Sequence, residues 1–396
     1  MNPARPHPFT RSRFASWLDS LLETVWEKGW QDKPEFDPEY LWSIGSRGYE
    51  SQDETSIRDE EDVADFRLRL EVLCRSLREE AQLNALGHTM AYGQITSAIR
   101  KRHALGKLWR EQPELAQTEI APPIVVLGQM RSGTTRVQRL LAADPRFCGT
   151  RFCNSQDPIP ASPDLRPVKA RAALAIAHAV NPWLEAMHPF GATRADEEIG
   201  WLAAALSPAA FEAQWRIPSF VAFSEARDAA PIYREFARIL RTDAASMGNA
   251  DRPRVLKCPQ FAEDMPALTA ALPQARVIAC ERDSESVLAS SVSMVASQMA
   301  FQSDLADIAA LEAEWRRKMD LRAWRISAFS ANPGAVAATV HFETLNEDPI
   351  AALADAYRAL GKEFAPQARS AAEDELQRAS RDSHGQHSRQ LENFAS

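Results

Sequence analysis

A chain of 396 residues, 45% hydrophobic and 25% charged, is long enough for one large or two ordinary domains and has the composition of a soluble globular protein. Its net charge of −8 argues against a nucleic-acid partner, because binders of the phosphate backbone present a broad basic face. No stretch has the apolar length of a membrane span, the first residues lack the uninterrupted apolar core of a signal peptide, and the five cysteines are too scattered for a disulfide framework, so a reduced, cytoplasmic protein is expected.

Residues 1–118 read as a helical N-terminal extension. Trp17, Leu21, Leu22 and Trp26 fall on one helical face, and Val63, Phe66, Leu70, Leu73 and Leu77 step by three and four residues along another helix. The acidic run Arg58-Asp59-Glu60-Glu61-Asp62 suits the solvated start of that second helix, where carboxylates meet the positive dipole end. Pro122-Pro123 marks entry into a second unit, residues 119–396, in which strands and helices alternate. The pattern predicts strands at 124–128, 254–257, 276–280 and 336–342. It predicts helices at 134–143, near 263–272, from Ser284, over about 304–330 and from Pro349. A helical insertion of about 155–250 separates the first two strands. Repeated strand–helix units imply an α/β fold, a P-loop-like parallel sheet flanked by helices, with ligands at the carboxyl ends of the strands.

The first strand runs into Leu127-Gly128-Gln129-Met130-Arg131-Ser132-Gly133-Thr134-Thr135, a strand–loop–helix cradle for a phosphate. Position 134 carries Thr where a triphosphate-binding loop needs Lys, and Arg131 lies inside the loop. Backbone N–H groups and the helix dipole still favour an anion, so the loop suits a phosphate or sulfate better than a magnesium-bound triphosphate. Three later segments bring polar groups to strand ends over the same crevice. They are Val255-Leu256-Lys257-Cys258-Pro259, then Cys280-Glu281-Arg282-Asp283 with Ser286, Ser290 and Ser291 behind it, and Thr339-Val340-His341-Phe342-Glu343. His341 reads as a satisfied strand residue.

From about residue 122 onward this order of motifs resembles the sulfotransferases that use 3′-phosphoadenosine 5′-phosphosulfate (PAPS), in the bacterial branch with a long helical N-terminal extension. The loop resembles that family's 5′-phosphosulfate loop, which implies Arg131, Ser132, Gly133, Thr134 and Thr135 as ligands of the co-substrate. Arg282 followed by Ser290 resembles its 3′-phosphate site, and Leu256-Lys257-Cys258-Pro259 its segment whose Lys contacts the transferring sulfuryl group. His341 to Pro349 is similar to its late strand and turn. His384-Gly385-Gln386-His387-Ser388-Arg389 with Phe394 resembles a loop that closes over the nucleotide, which implies His384 and Gly385 as further ligands.

The resemblance implies a reaction in which a sulfuryl group passes to a hydroxyl or amine of a small-molecule acceptor without a metal. Arg131 and Lys257 are cations suited to the charge that develops on the transferring group, and Arg282 suits a second, remote phosphate. The family's base histidine is absent, since Pro259 and Phe261 stand at the two positions where one is expected. An acid therefore takes that role here. Asp196-Glu197-Glu198 resembles the branch's acidic pair, with Glu198 or Glu197 as the base and His188 behind them. The helical insertion of about 155–250 is expected to shape the acceptor pocket, while its aromatic stretch Trp201, Phe211, Trp215, Phe220 and Phe223 reads mainly as core, with some of it available to that pocket. Two other readings stand beside this one, a nucleotide-dependent kinase with an irregular phosphate loop and a catalytically silent nucleotide-binding protein. Acceptor identity and oligomeric state are not encoded in any motif.

Overall fold

The β-branched run after Pro123 forms the middle strand of a five-stranded sheet, in a computed structural model that describes residues 5–184, 189–304 and 307–381. The strands are β1 (Ile124–Leu127), β2 (Cys148–Gly149), β3 (Arg254–Leu256), β4 (Arg276–Glu281) and β5 (Ala338–His341), in the spatial order β2-β3-β1-β4-β5. Every neighbouring pair is parallel, with Val125 opposite Leu256 and Leu127 opposite Ala279. Helices of nine or more residues are numbered in chain order: α1 (Arg13–Glu27), α2 (Glu60–Glu79), α3 (Ala85–Glu111), α4 (Thr134–Ala142), α5 (Arg166–Val180), α6 (Ala230–Ser246), α7 (Phe261–Ala271), α8 (Ser284–Met299), α9 (Ile308–Ser330), α10 (Pro349–Ala359) and α11 (Pro366–Arg381). The protein is thus α/β, as its alternating pattern predicts, with each expected strand found within two residues of its expected bounds. The two-residue β2 and the short helix Phe342–Glu347 add to the expected set.

Alternate residues of each strand enter opposite cores, as the pleat requires. Val125, Leu127, Leu256 and Val277 pack on Tyr233 and Phe236 of α6, Phe261 of α7 and Trp109 of α3. Ile124, Val126, Ile278 and Val340 pack on Leu140 of α4 and Tyr357 of α10. Fully burying one such aliphatic or aromatic side chain stabilises the fold by roughly 1.5–3 kcal/mol.

The N-terminal helices do not stand apart from this sheet. Trp109 of α3 donates its indole N–H to Thr242 Oγ1 of α6 at 2.7 Å, and Phe66, Leu70, Leu73 and Leu77 of α2 share a core with Phe211, Trp215 and Phe220. Close approach is enforced at Gly106, where a Cβ would lie 1.5 Å from the Asp53 carbonyl oxygen. On α1 the expected apolar face is corrected. Trp17 and Leu21 point to solvent at 57% and 40% exposure, while Ala15, Leu18 and Leu22 face Leu86 of α3. The helix is apolar on two sides, and α3 selects which of them is covered.

The run 58–62 needs a second correction. Glu60 and Glu61 are exposed at the start of α2, but Arg58 and Asp62 are buried. Arg58 grips Glu235 of α6 through two hydrogen bonds, at 3.0 and 2.7 Å, and Asp62 accepts from Arg234 and Arg238 at 2.7 and 2.9 Å. Sequence periodicity carries no sign that α6 will dock there. Burial alone would raise the Glu235 carboxyl, yet the Arg58 charge, with Arg102 and Arg238, outweighs it and holds the group down to about 2.

Removing one member of a buried pair leaves the other uncompensated, so Glu235→Ala is expected to lose about 3–5 kcal/mol in urea unfolding at neutral pH. A carboxyl whose folded value lies below the unfolded 4.5 contributes stability above that pH and loses it as pH falls towards 2. The wild type should therefore lose more stability than the variant between pH 4.5 and 2. Equal acid sensitivity of the two proteins would contradict this role.

Candidate active site

Parallel register brings the ends of β1, β3 and β4 to one edge, and each is followed at once by a polar segment. After β1 the chain winds into α4 through Arg131 at φ 67° and Gly133 at φ 89°. A left-handed non-glycine residue such as Arg131 is strained, and strain of this kind concentrates at functional sites. Space around the loop is tight. A Cβ on Gly128 would lie 2.8 Å from Ser132 Oγ and 2.9 Å from the Cys280 carbonyl oxygen, and one on Gly133 would lie 3.0 Å from the Phe342 ring. The Ser132 hydroxyl donates to the Gln129 carbonyl at 2.6 Å and braces the turn. Thr134 is buried in the first turn of α4, whose dipole and N–H groups favour an anion at the loop.

Directly after β3, Lys257 is 3% exposed and its ammonium pairs with the Glu197 carboxylate, while also donating to Thr135 Oγ1 at 3.0 Å. The Lys257 backbone N–H donates to Glu198 Oε2 at 2.7 Å. Consecutive carboxylates thus hold the same lysine, one by its side chain and one by its main chain. Glu198 is fully buried, and burial pushes its carboxyl up to about 8. The segment is fixed from behind. Ser155 Oγ donates to the Glu197 carbonyl at 2.6 Å, and a Cβ on Gly200 would lie 2.1 Å from the Ser155 carbonyl oxygen.

After β4, Arg282 donates to the Arg131 carbonyl at 2.9 Å and lies 4.0 Å over the Phe342 ring. Arg131 Nε donates to Ser290 Oγ on α8 at 2.9 Å. Burial, with the Arg282 charge close by, lowers the Arg131 guanidinium to about 10. Asp283 caps α8 by accepting from the Ser286 N–H at 2.9 Å, and exposed His341 sits 3.5 Å from Glu281 across the strand pair.

A cavity of about 400 Å³ opens beside these groups. Arg131, Thr135, Glu197 and Lys257 line it, whereas Glu198 does not. Its apolar wall is Phe152, Leu174, Leu184, Phe190, Met294 and Trp315, and Gln214, Gln260, Glu212 and Arg322 add polar surface. None of these residues is singled out by its sequence context, although Leu174, Leu184, Phe190, Glu212 and Gln214 lie in the insertion of about 155–250 that is expected to shape a pocket. Trp201, Phe211, Trp215 and Phe220 are instead core residues, 0–1% exposed. Of the two positions lacking the expected histidine, Pro259 lines the cavity and Phe261 is buried in the core. His188, His384, Gly385, the rest of the 384–389 segment and Phe394 lie outside the described residues.

Among the described residues no helix is long and apolar enough to cross a membrane. Comparison with known proteins bears on the family and the fold. No curated protein sequence matches the chain. The chain resembles the crystal structure of sulfotransferase STF1 from Mycobacterium tuberculosis, with a TM-score of 0.75 and 26% identity, over 84% of this chain and 92% of that one. The crystal structure of sulfotransferase STF9 from Mycobacterium avium shares the fold at a TM-score of 0.75 and 17% identity, covering 86% of this chain and 87% of that one. The model of the sulfotransferase family matches residues 122–366, more than half the chain and every strand of the sheet, and the protein belongs to that family.

Proposed function

We propose that this protein moves a sulfuryl group from PAPS to a hydroxyl or amine of a small-molecule acceptor by metal-free, in-line transfer. The observation that carries the reading is that Arg131, Lys257 and Glu197 line one cavity, with Lys257 paired to Glu197 and with Arg282 and Ser290 in direct contact with Arg131. Two anionic groups fit this layout. The loop amides of 132–135 with Lys257 suit the 5′-phosphosulfate, and Arg282 with Ser290 suits the 3′-phosphate through charge-assisted hydrogen bonds. His384 and Gly385 complete the nucleotide ligands implied by the resemblance.

Lys257 and Arg131 lower the barrier by holding fixed positive charge where negative charge grows, at the oxygens of the transferring group and of the departing 5′-phosphate. As the acceptor oxygen bonds to sulfur, the bond between sulfur and the phosphate oxygen breaks. Glu197 takes the acceptor proton. Its pairing with Lys257 before the donor binds is part of this reading, because an arriving anion competes for the ammonium and releases the carboxylate to act as base. Glu198 acts from behind by fixing the Lys257 backbone rather than by touching the acceptor.

Titration calorimetry with 3′-phosphoadenosine 5′-phosphate (PAP) in the presence of EDTA should give binding of about micromolar strength, weakened at least about tenfold in Arg282→Ala. Absence of binding, or a requirement for magnesium and ATP in place of PAP, would sink the proposal and favour a kinase. With an acceptor in hand, Glu197→Gln should keep PAP affinity while lowering kcat by about 10²–10⁴. Unchanged turnover in that variant assigns the base elsewhere.

A further inference from the structure

On the α5 side of the cavity the usual pattern of a surface helix is reversed. Leu174 and Ala177 of α5 line the cavity, so the inner side of this helix is apolar because it forms a wall. Its outward side is apolar as well. Val168, Ala172, Ala175, Ile176 and Ala179 are all exposed and recur at the spacing of one helical face, with Val168 at 59% and Ile176 at 64% exposure and Leu165, just before the helix, at 53%. An outward face in water ordinarily carries polar side chains, and this stripe carries none.

The charges around the stripe are mostly positive. From Leu165 to Leu184 the chain holds Arg166, Lys169 and Arg171 and no Asp or Glu, and the next acid, Glu185, lies outside the described residues. Lys169 and Arg171 are exposed and flank the stripe on its two sides. The acids that reach this helix are Asp157, 3.6 Å from Lys169, and Asp164, which pairs with Arg166 at 2.8 Å and Arg151 at 3.0 Å. Four cations meet two carboxylates. Salt confines the reach of exposed charge to about 8–10 Å, so this local excess, rather than the chain's total of −8, governs what approaches α5. Beside the end of α5 lies α1, where Ser12 Oγ donates to the Val180 carbonyl at 2.7 Å and Ala15 shares a core with Val180. It exposes an apolar stripe of its own, Phe14, Trp17 and Leu21, while its acids Asp19, Glu23 and Glu27 fall on a different face.

We propose that α5 seats the protein on the surface of a membrane rich in anionic lipid, with Val168, Ala172 and Ile176 entering the boundary of the acyl chains and Lys169 and Arg171 meeting the headgroup phosphates. At 15 residues α5 is too short to span the hydrocarbon, so it lies along the surface, where apolar contact and attraction to anionic headgroups add together. A second copy of the chain fits this face less well. Symmetric pairing sets a surface against itself, and α5 on α5 would bring Lys169 and Arg171 towards their own like charges. Because the same helix walls the cavity, docking places that apolar space next to the lipid.

Cosedimentation of the full chain with vesicles tests the proposal. In about 0.1 M salt the protein should bind phosphatidylcholine vesicles containing about 30% phosphatidylglycerol at least about tenfold more tightly than vesicles of phosphatidylcholine alone. Val168→Glu combined with Ile176→Glu should weaken that binding at least about tenfold without lowering Tm, since both side chains are exposed. Lys169→Ser combined with Arg171→Ser should remove most of the preference for the anionic vesicles. No binding to those vesicles at about millimolar lipid overturns the proposal, and so do equal binding to the two compositions and binding that neither double variant changes. A dimer in sedimentation velocity that Ile176→Glu dissociates, in a protein that ignores vesicles, assigns the face to a second copy instead. If the glutamate variant fails to fold, the lysine and arginine variant decides.

Discussion

A buried ammonium needs a counter-charge, and the pairing of Lys257 with Glu197 meets that need where the sheet edge, the loop after β1 and the helical insertion converge. Lys257 comes from the end of β3, Thr135 from α4 and Glu197 from the insertion, so one side chain just past the strand ties three parts of the chain together. Glu198 adds a third restraint, on the lysine's own backbone. With Glu198 held up at about 8 by burial, the pair is not two equivalent carboxylates. One faces the cavity and carries charge against the lysine. The other is enclosed, and its environment penalises ionisation.

The parallel sheet makes this convergence possible. Matching register at β3, β1 and β4 places Lys257, the 128–133 loop and Arg282 at the same end, which is where ligands of parallel α/β sheets bind. What the sheet does not supply is a covered cavity. Phe152, α5 and Phe190 furnish one wall, and α8 and α9 furnish another. The N-terminal helices support this arrangement indirectly through the core they share with residues 206–221 and through the Arg58–Glu235 pair.

Local features were legible in the sequence and distant ones were not. A buried strand between Pro123 and Gly128, a helix beginning at Thr134 and one beginning at Ser284 announce themselves by β-branched runs, glycine and a capping Asp283. β2 has two residues and no pattern that a period could show. The loop cation, the strand-end lysine and the Arg282–Ser290 spacing were readable because each sits next to an element whose direction the pattern fixes. The different orientations of Glu197 and Glu198 were not, since they depend on Ser155 and Gly200 packing behind them. The polar part of the cavity lining was equally hidden. Gln260, Glu212 and Arg322 lie far apart in sequence, and the docking of α9 on both α7 and the segment around Glu212 assembles them.

The most direct measurement is a crystal structure of the protein with PAP, grown in EDTA. The electrostatic layout predicts the 5′-phosphate on the amides of residues 132–135 with the Lys257 ammonium turned from Glu197 towards it, and the 3′-phosphate between Arg282 and Ser290. Phosphates seated on another surface, or Lys257 still closed on Glu197 with the nucleotide bound, would contradict it.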